Sequence, residues 1–421
     1  MVEIVTSNNL PKPFTFASRQ NGVAVLVMLL ALLVTSAVYL STEYKVNNTG
    51  QQNRNTLNSL LAAKQALLAY AVNYADNYGH NSRGGPGRLP CPALAKFSSP
   101  ARSCGENPVG YLPANWSRSG RQMEIDYLER FLDRDIWYAV ASDHRYNPAF
   151  NTLNSHRGDG LLSVDKMDDV VAVLIAPGPA AETQTLIQTR SSSFQYLSET
   201  VIQYLEGDNA DGDASYTLTE SNDLLVAIRR DELISLMELR VLGFVKQWLI
   251  EYKQHYGFYP YAAGLGATGE CEQSLQRGML SVEAGNCAEV PLADVHFSDL
   301  PAARSLRQTW FFRYGWPQFI YYVVNENCLP DKAFENCDGV DDAVSALRVD
   351  GVPVDVVLLS VGESMETLPI GRLQRRDSTE LVEYLDSEDL LLTDLEFRSP
   401  TVTELSNDQL VYIEQEVTDG S

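Results

Sequence analysis

An internal repeat constrains the fold of this 421-residue chain most strongly. Similar segments recur in one order, and an ordered series of matches at this separation is typical of a duplicated unit of about 175–190 residues. The matched pairs are Tyr70–Gly79 with Trp248–Gly257, Ile136–Val140 with Ile320–Val324, Val164–Val171 with Val349–Val357, Tyr204–Glu206 with Tyr384–Asp386, and Asn222–Ile228 with Asn407–Ile413.

The sequence pattern of each unit predicts a long helix followed by strands. Apolar residues recur at helical spacing from Leu57 to Tyr78 and from Ile234 to Tyr256, and each stripe ends at a glycine suited to a left-handed cap. Such stripes need a buried partner surface, which the β-branched and aromatic strands can provide. We therefore predict an α+β fold in which each long helix lies across its own, mostly antiparallel sheet.

An uncharged run from Gly22 to Leu40 precedes the repeat. As a helix it would be about 28 Å long, close to the thickness of a bilayer core, which predicts a transmembrane helix. Lys12 and Arg19 before it would keep the N-terminus cytoplasmic. A cleaved secretory signal peptide would have a shorter apolar core ending in small residues, and Ser36–Val38 fits that pattern poorly.

Composition and cysteine content favour an extracytoplasmic domain. The 55 acidic and 32 basic residues give a net charge of -23, which argues against nucleic-acid binding. Six cysteines, an even number, fit an oxidising compartment, and no Cys/His spacing indicates zinc. Six cysteines allow 15 connectivities. Proximity favours the pairs Cys91 with Cys104, Cys271 with Cys287, and Cys328 with Cys337.

The boundary between Gly22 and Val23 resembles the leader of type IV prepilins, which a prepilin peptidase cuts after the glycine. Pilins usually carry Glu at the fifth mature position, where this chain has Val27, so the resemblance is closer to minor pseudopilins of type II secretion. An uncleaved signal anchor fits about as well. Further segments similar to pilin-like proteins extend the resemblance over about residues 20–240. They are Ala62–Ala71, Pro86–Pro92, Tyr204–Asp213 and Arg230–Leu233.

The resemblance implies a membrane helix that continues into a pilin-like head, here duplicated in tandem. The expected domains are a cytoplasmic leader at 1–22, a transmembrane helix and stalk at 23–56, a first head at 57–230 and a second head at 231–421. The expected location is the bacterial inner membrane, as a single-pass protein with its C-terminal domain in the periplasm.

One acidic loop offers oxygen ligands in the order of a calcium loop: Asn209, Asp211, Asp213 and Glu220. The usual glycine at the sixth position is Ala214, and a plain polar turn is the competing interpretation. The heads of some pseudopilins bind calcium, so the resemblance adds support to the calcium site. No other cofactor is expected, and no motif for a catalytic serine, a zinc protease or a phosphate-binding loop occurs.

Two functions follow as expectations. The first is a non-enzymatic, membrane-anchored minor pilin or pseudopilin of a type II secretion or type IV pilus system, at the filament tip. Its partners would be the bilayer, other pilin-like subunits and the prepilin peptidase. The second is a stand-alone, membrane-anchored periplasmic module that binds a ligand or a partner.

Overall fold

The computed structural model describes residues 51–414 with gaps. The larger gaps are at 75–85, 105–108, 114–135, 146–160, 179–203, 333–336, 338–346, 374–378, 386–394 and 399–407. Within the described residues the chain forms three α-helices: α1 over 53–72, α2 over Arg230–Tyr256 and α3 over Trp310–Arg313.

Two curled, six-stranded sheets make up most of the structure. The first sheet consists of β1 (Val109–Tyr111), β2 (Trp137–Val140), β3 (Leu162–Val164), β4 (Met167–Ala176), β5 (Ser215–Tyr216) and β6 (Leu224–Arg229). The second consists of β7 (Arg277–Met279), β8 (Ile320–Val324), β9 (Arg348–Val349), β10 (Val352–Ser360), β13 (Glu396–Phe397) and β14 (Gln409–Glu414). A separate two-stranded sheet joins β11 (Glu366–Thr367) to β12 (Arg372–Leu373).

The two large sheets have the same strand order. The first runs β1-β2-β4-β3-β5 with β6 also paired to β4, and the second runs β7-β8-β10-β9-β13 with β14 also paired to β10. In each sheet only the outermost short pair, β3 with β5 or β9 with β13, is parallel. Strands β1–β6 lie before residue 230 and strands β7–β14 after it. The domain limits set from the repeat, at 57–230 and 231–421, stay a prediction.

The central strands explain why the sheets are covered on both faces. Seven consecutive residues are buried at the end of β4 and seven at the end of β10, so these parts of the two strands have no solvent face. In the first sheet, Tyr138 and Leu174 face one apolar core, whereas Trp137 and Val173 face another. A continuous apolar run of this kind is typical of a strand buried on both sides.

Helix α2 packs against strands of both sheets, contacting β4 and β6 of the first and β10 and β14 of the second. It ends at Gly257, whose φ of 82° is left-handed and whose N–H donates to Lys253 O, as the sequence predicts for this end. Lys64 of α1 donates to Ala227 O at 3.0 Å and lies 2.6 Å from a carboxylate oxygen of Glu232. Both helices therefore belong to one shared core.

This architecture corrects the predicted fold class. The prediction of two pilin-like heads, each a long helix across its own, mostly antiparallel sheet, is wrong because the sheets curl, are covered on both faces and share α2. The sequence pattern did not reveal this, since a helical stripe shows that a face is buried without showing which strands cover it.

The membrane prediction is corrected as well. Among the described residues, no helix is both long enough and apolar enough to cross a bilayer. This finding contradicts the expected assignment as a transmembrane, single-pass protein of the inner membrane with a periplasmic domain. The fold also gives no support to the pilin and type II secretion assignments. The apolar run Gly22–Leu40 and the processing residues Gly22 and Val23 lie outside the described residues.

Candidate functional site

The acidic loop predicted as a calcium site is held by its first residue. Asn209 is fully buried, and its Nδ2 donates to Thr217 O at 3.2 Å, Ser221 Oγ at 2.8 Å and Asp223 Oδ2 at 3.2 Å. Its Oδ1 accepts from the Thr217 N–H at 2.9 Å. These bonds assign Asn209 a structural role in closing the loop.

The other predicted ligands lie apart from this buried group. Asp211 and Asp213 are exposed, and each accepts the backbone N–H two residues further on, at 3.1 Å and 2.6 Å. This is the ordinary behaviour of aspartate in turns. Glu220 lies outside the described residues. Within the described chain, the groups of His, Cys, Asp and Glu close enough to share a metal ion do not include this loop, and the calcium site stays a prediction.

Asp223 anchors the same region, although the sequence analysis did not single it out as a site. Its buried carboxylate accepts from the Gly178 N–H, the Glu206 N–H and Asn209 Nδ2, each at 3.2 Å. Burial raises the pKa of Asp223, and these hydrogen bonds partly oppose the rise. Its counterpart before β14, Asp408, is also buried. The Asn-Asp pair that recurs in both halves was therefore the sequence feature that could have indicated a buried aspartate here.

The six cysteines form three disulfides in the structure, and the pairs are those favoured by proximity. Cys91 bonds to Cys104, Cys271 to Cys287 and Cys328 to Cys337, across 13, 16 and 9 residues of sequence. They close short loops next to the sheets.

A cluster of buried basic side chains lies beside β2. His144 ends the short 3-10 turn Ser142–His144 that follows this strand, and only 1% of its surface is exposed. Neither ring nitrogen of His144 has a hydrogen-bond partner among the described residues. Arg88 and Arg230, each 4% exposed, are close enough to act on the imidazole electrostatically.

The charges of this cluster follow from burial and from its neighbours. Burial lowers the pKa of His144 to about 3, and the nearby charges of Arg230 and Arg88 add to the effect. The imidazole is therefore neutral near pH 7. Burial also lowers the pKa of Arg88, whose guanidinium donates to the backbone oxygens of Asp143 and Arg145. The cluster thus places two guanidinium charges near a neutral ring.

Corresponding hydrogen bonds locate the equivalent place in the second sheet. The Leu89 N–H donates to His144 O, as the Tyr259 N–H donates to Cys328 O. The Ala141 N–H donates to Val171 O, as the Asn325 N–H donates to Asp355 O. His144 therefore corresponds to Cys328, and Val171 corresponds to Asp355.

The second sheet carries an acidic group at this place. Asp355 is buried, and its Oδ2 lies 2.9 Å from Lys253 Nζ and 3.5 Å from the Tyr259 hydroxyl. The side chain of Lys253 is 19% exposed. One framework thus supports a basic cluster in the first sheet and a buried ion pair in the second.

The basic cluster was not predicted from the sequence. Arg88 and Arg230 are far from His144 along the chain, so only the folded chain brings the three together. The turns Ser142–His144 and Glu326–Cys328 correspond to each other in the repeat. The histidine in the first turn, at the position of a cysteine in the second, was the sequence feature that could have indicated the cluster.

Comparison with known proteins adds no assignment: no protein-family model, no curated protein and no solved structure matches the chain.

Proposed function

We propose that the chain is a non-enzymatic binding module that holds a small anion at Arg88, His144 and Arg230. The observation that supports this function best is the buried imidazole, which has no hydrogen-bond partner within the described part of the chain and lies near two buried guanidinium groups. Buried polar groups normally have partners, and guanidinium is well suited to carboxylate or phosphate oxygens.

The chemistry of the cluster selects the sign and the size of the ligand. Two guanidinium charges repel cations and attract an anion, and the imidazole offers an N–H donor to it. All three side chains are at most 4% exposed, which restricts the ligand to a small carboxylate or inorganic anion. The local positive charge contrasts with the net charge of -23 of the whole chain.

Thermal unfolding of the full chain with inorganic phosphate and with acetate tests this function. Saturable stabilisation by either anion is expected, because a ligand that binds only the folded state raises its stability. The stabilisation should be lost in Arg88→Gln and in His144→Phe, and retained in the control Arg277→Gln, which changes an exposed arginine of β7. Equal anion effects in all four proteins, or no saturable effect in the unmodified chain, would refute the site.

A subunit of a type II secretion or type IV pilus filament is the second candidate. The sequence segments Ala62–Ala71 and Pro86–Pro92, which resemble pilin-like proteins, support it. Genes for prepilin-like subunits or a secretion ATPase beside the gene for this chain would strengthen it. Crosslinking of the chain in intact cells that yields no pilin-like partner would count against it.

A further inference from the structure

A disulfide and a carboxylate lie together in the core of the second sheet. The sulfur atoms of Cys328 and Cys337 and a carboxylate oxygen of Asp355 all lie within 4.8 Å of one another. All three residues are buried, with exposed fractions of 0%, 7% and 1%. Once the sulfurs are thiolates, both they and the carboxylate are ligand types that zinc binds.

Backbone hydrogen bonds fix two of these groups relative to each other. Asn325 joins them, because its N–H donates to Asp355 O at 2.7 Å and its O accepts from the Cys328 N–H at 2.9 Å. Asp355 lies at a β-bulge of β10, between Val354 and Val356, where the register with β14 shifts. A bulge redirects a side chain, which here places the carboxylate beside the disulfide.

We propose that reduction of the Cys328–Cys337 disulfide by a dithiol creates a zinc site formed by the two thiolates and Asp355. The dithiol supplies two electrons and two protons, so the S–S bond breaks, two thiols form and the reductant becomes a disulfide. Zn²⁺ then displaces both thiol protons and binds both sulfurs and the carboxylate, and water takes the fourth position. With Zn–S bonds of about 2.3 Å, the two sulfurs need to separate to roughly 3.7 Å.

Lys253 makes this site electrically balanced. Its Nζ lies 2.9 Å from Asp355 Oδ2. Two thiolates, one carboxylate, one Zn²⁺ and one ammonium group sum to no net charge, which reduces the penalty for burying the ions. Lys253 also orients the ligating carboxylate, in the way that outer hydrogen-bonding partners fix metal ligands.

The other disulfides provide internal comparisons. Cys271 and Cys287 lie close to Glu289, the same donor set, but Cys287 and Glu289 are only half-buried. Within the described residues, Cys91 and Cys104 are not part of such a group. The zinc site is independent of the anion site in the first sheet.

The full chain is reduced with dithiothreitol, and the reductant is removed by anaerobic gel filtration. Zinc bound per chain is then measured by competition with a chromogenic chelator. Zinc binding is expected after reduction and not before it. Asp355→Asn should weaken the Cys328 site about tenfold or more, and Cys328→Ser with Cys337→Ser should abolish it. The matched control, Cys271→Ser with Cys287→Ser, should retain it.

Cobalt substitution provides a second, spectroscopic readout. Co²⁺ in the reduced, unmodified chain should show thiolate-to-cobalt charge-transfer absorption, and this absorption should remain in the Cys271→Ser, Cys287→Ser control. Several results would overturn the proposal: no zinc binding after reduction, binding lost only in the Cys271→Ser, Cys287→Ser control, or affinity unchanged by Asp355→Asn. A reduced chain that loses its far-ultraviolet circular dichroism and does not regain it with zinc would also overturn it.

Discussion

The charge of His144 depends on its surroundings rather than on the solution around the protein. Burial and the neighbouring Arg230 and Arg88 hold its folded-state pKa near 3, whereas the same ring in an unfolded chain titrates near 6.5. The adjacent charged side chains in sequence are Asp143 and Arg145. His144 is consequently neutral in the folded chain over the pH range in which it becomes charged in the unfolded chain.

This difference predicts an acid-sensitive stability. Because the folded pKa is depressed, the contribution of His144 to stability is complete above about pH 6.5 and is lost as the pH falls towards 3. Between pH 7.5 and pH 5 the free energy of unfolding should fall by about 2 kcal/mol through this residue. Urea unfolding at both pH values measures it. In His144→Gln the loss should be smaller by that amount, and an unchanged pH dependence would contradict the assignment.

At the scale of elements, α2 is the part on which both sheets depend. Its side chains are buried over a wide face, and the helix contacts strands on either side of residue 230. Trp248 lies within this face at 2% exposure, with ring centroids of Phe244, Phe297 and Phe311 at 5.8, 5.8 and 5.1 Å. The tryptophan therefore fills an aromatic cluster rather than a binding surface.

Truncation of Trp248 should accordingly destabilise the protein. Trp248→Ala leaves a large cavity and should lower the free energy of unfolding by about 3–5 kcal/mol. Leu239→Ala on the same helix is the control, because Leu239 is 42% exposed and its loss should change stability by about 0.5 kcal/mol or less. Denaturant unfolding measures both variants. Equal stability of Trp248→Ala and the unmodified chain would mean that this face of α2 is not packed.

At the scale of the molecule, one continuous core connects the two sheets. Residues of α1, α2, β4 and β10 belong to the same apolar cluster, and a second, smaller cluster covers the other face of the first sheet. Removal of α2 would therefore expose apolar surface on both sheets. The sheets are therefore parts of one folding unit.

A single unfolding transition should follow from this shared core. Tryptophan fluorescence, to which Trp137 of the first sheet and Trp316 just before β8 of the second contribute, should change at the same urea concentration as far-ultraviolet circular dichroism. Trp248→Ala should shift both signals together. Two separated transitions would show that each sheet folds on its own, as separate domains would.

The sequence predicted those features that depend on local chemistry. The glycine cap at Gly257, the strands β2 and β8 and the neighbouring cysteine pairs follow from short segments, and the structure has each of them. Curling of the sheets and sharing of α2 do not, because they depend on contacts between distant segments. The basic cluster was missed for the same reason.

One alignment error has a specific cause. The repeated Asp-Val-Val motif suggested that Asp169 corresponds to Asp355, whereas strand pairing matches Ala172 with Val356 and so Val171 with Asp355. In this strand alignment the identical tripeptides lie two places apart, although both sheets shift register at the same equivalent residue. Asp169 instead forms an exposed ion pair with Arg229. Sequence identity alone misaligned the motif, because strand pairing depends on contacts that the sequence does not show.

The bulge that both sheets share allows one sheet to serve as a control for the other. Position 171 and position 355 have the same backbone setting, but one side chain is apolar and the other is charged. Exchanging the two residues would keep the composition constant while moving a carboxylate from the neighbourhood of Lys253 to that of His144. Any property that moves with the carboxylate belongs to the side chain, and any property that stays behind belongs to the sheet that surrounds it.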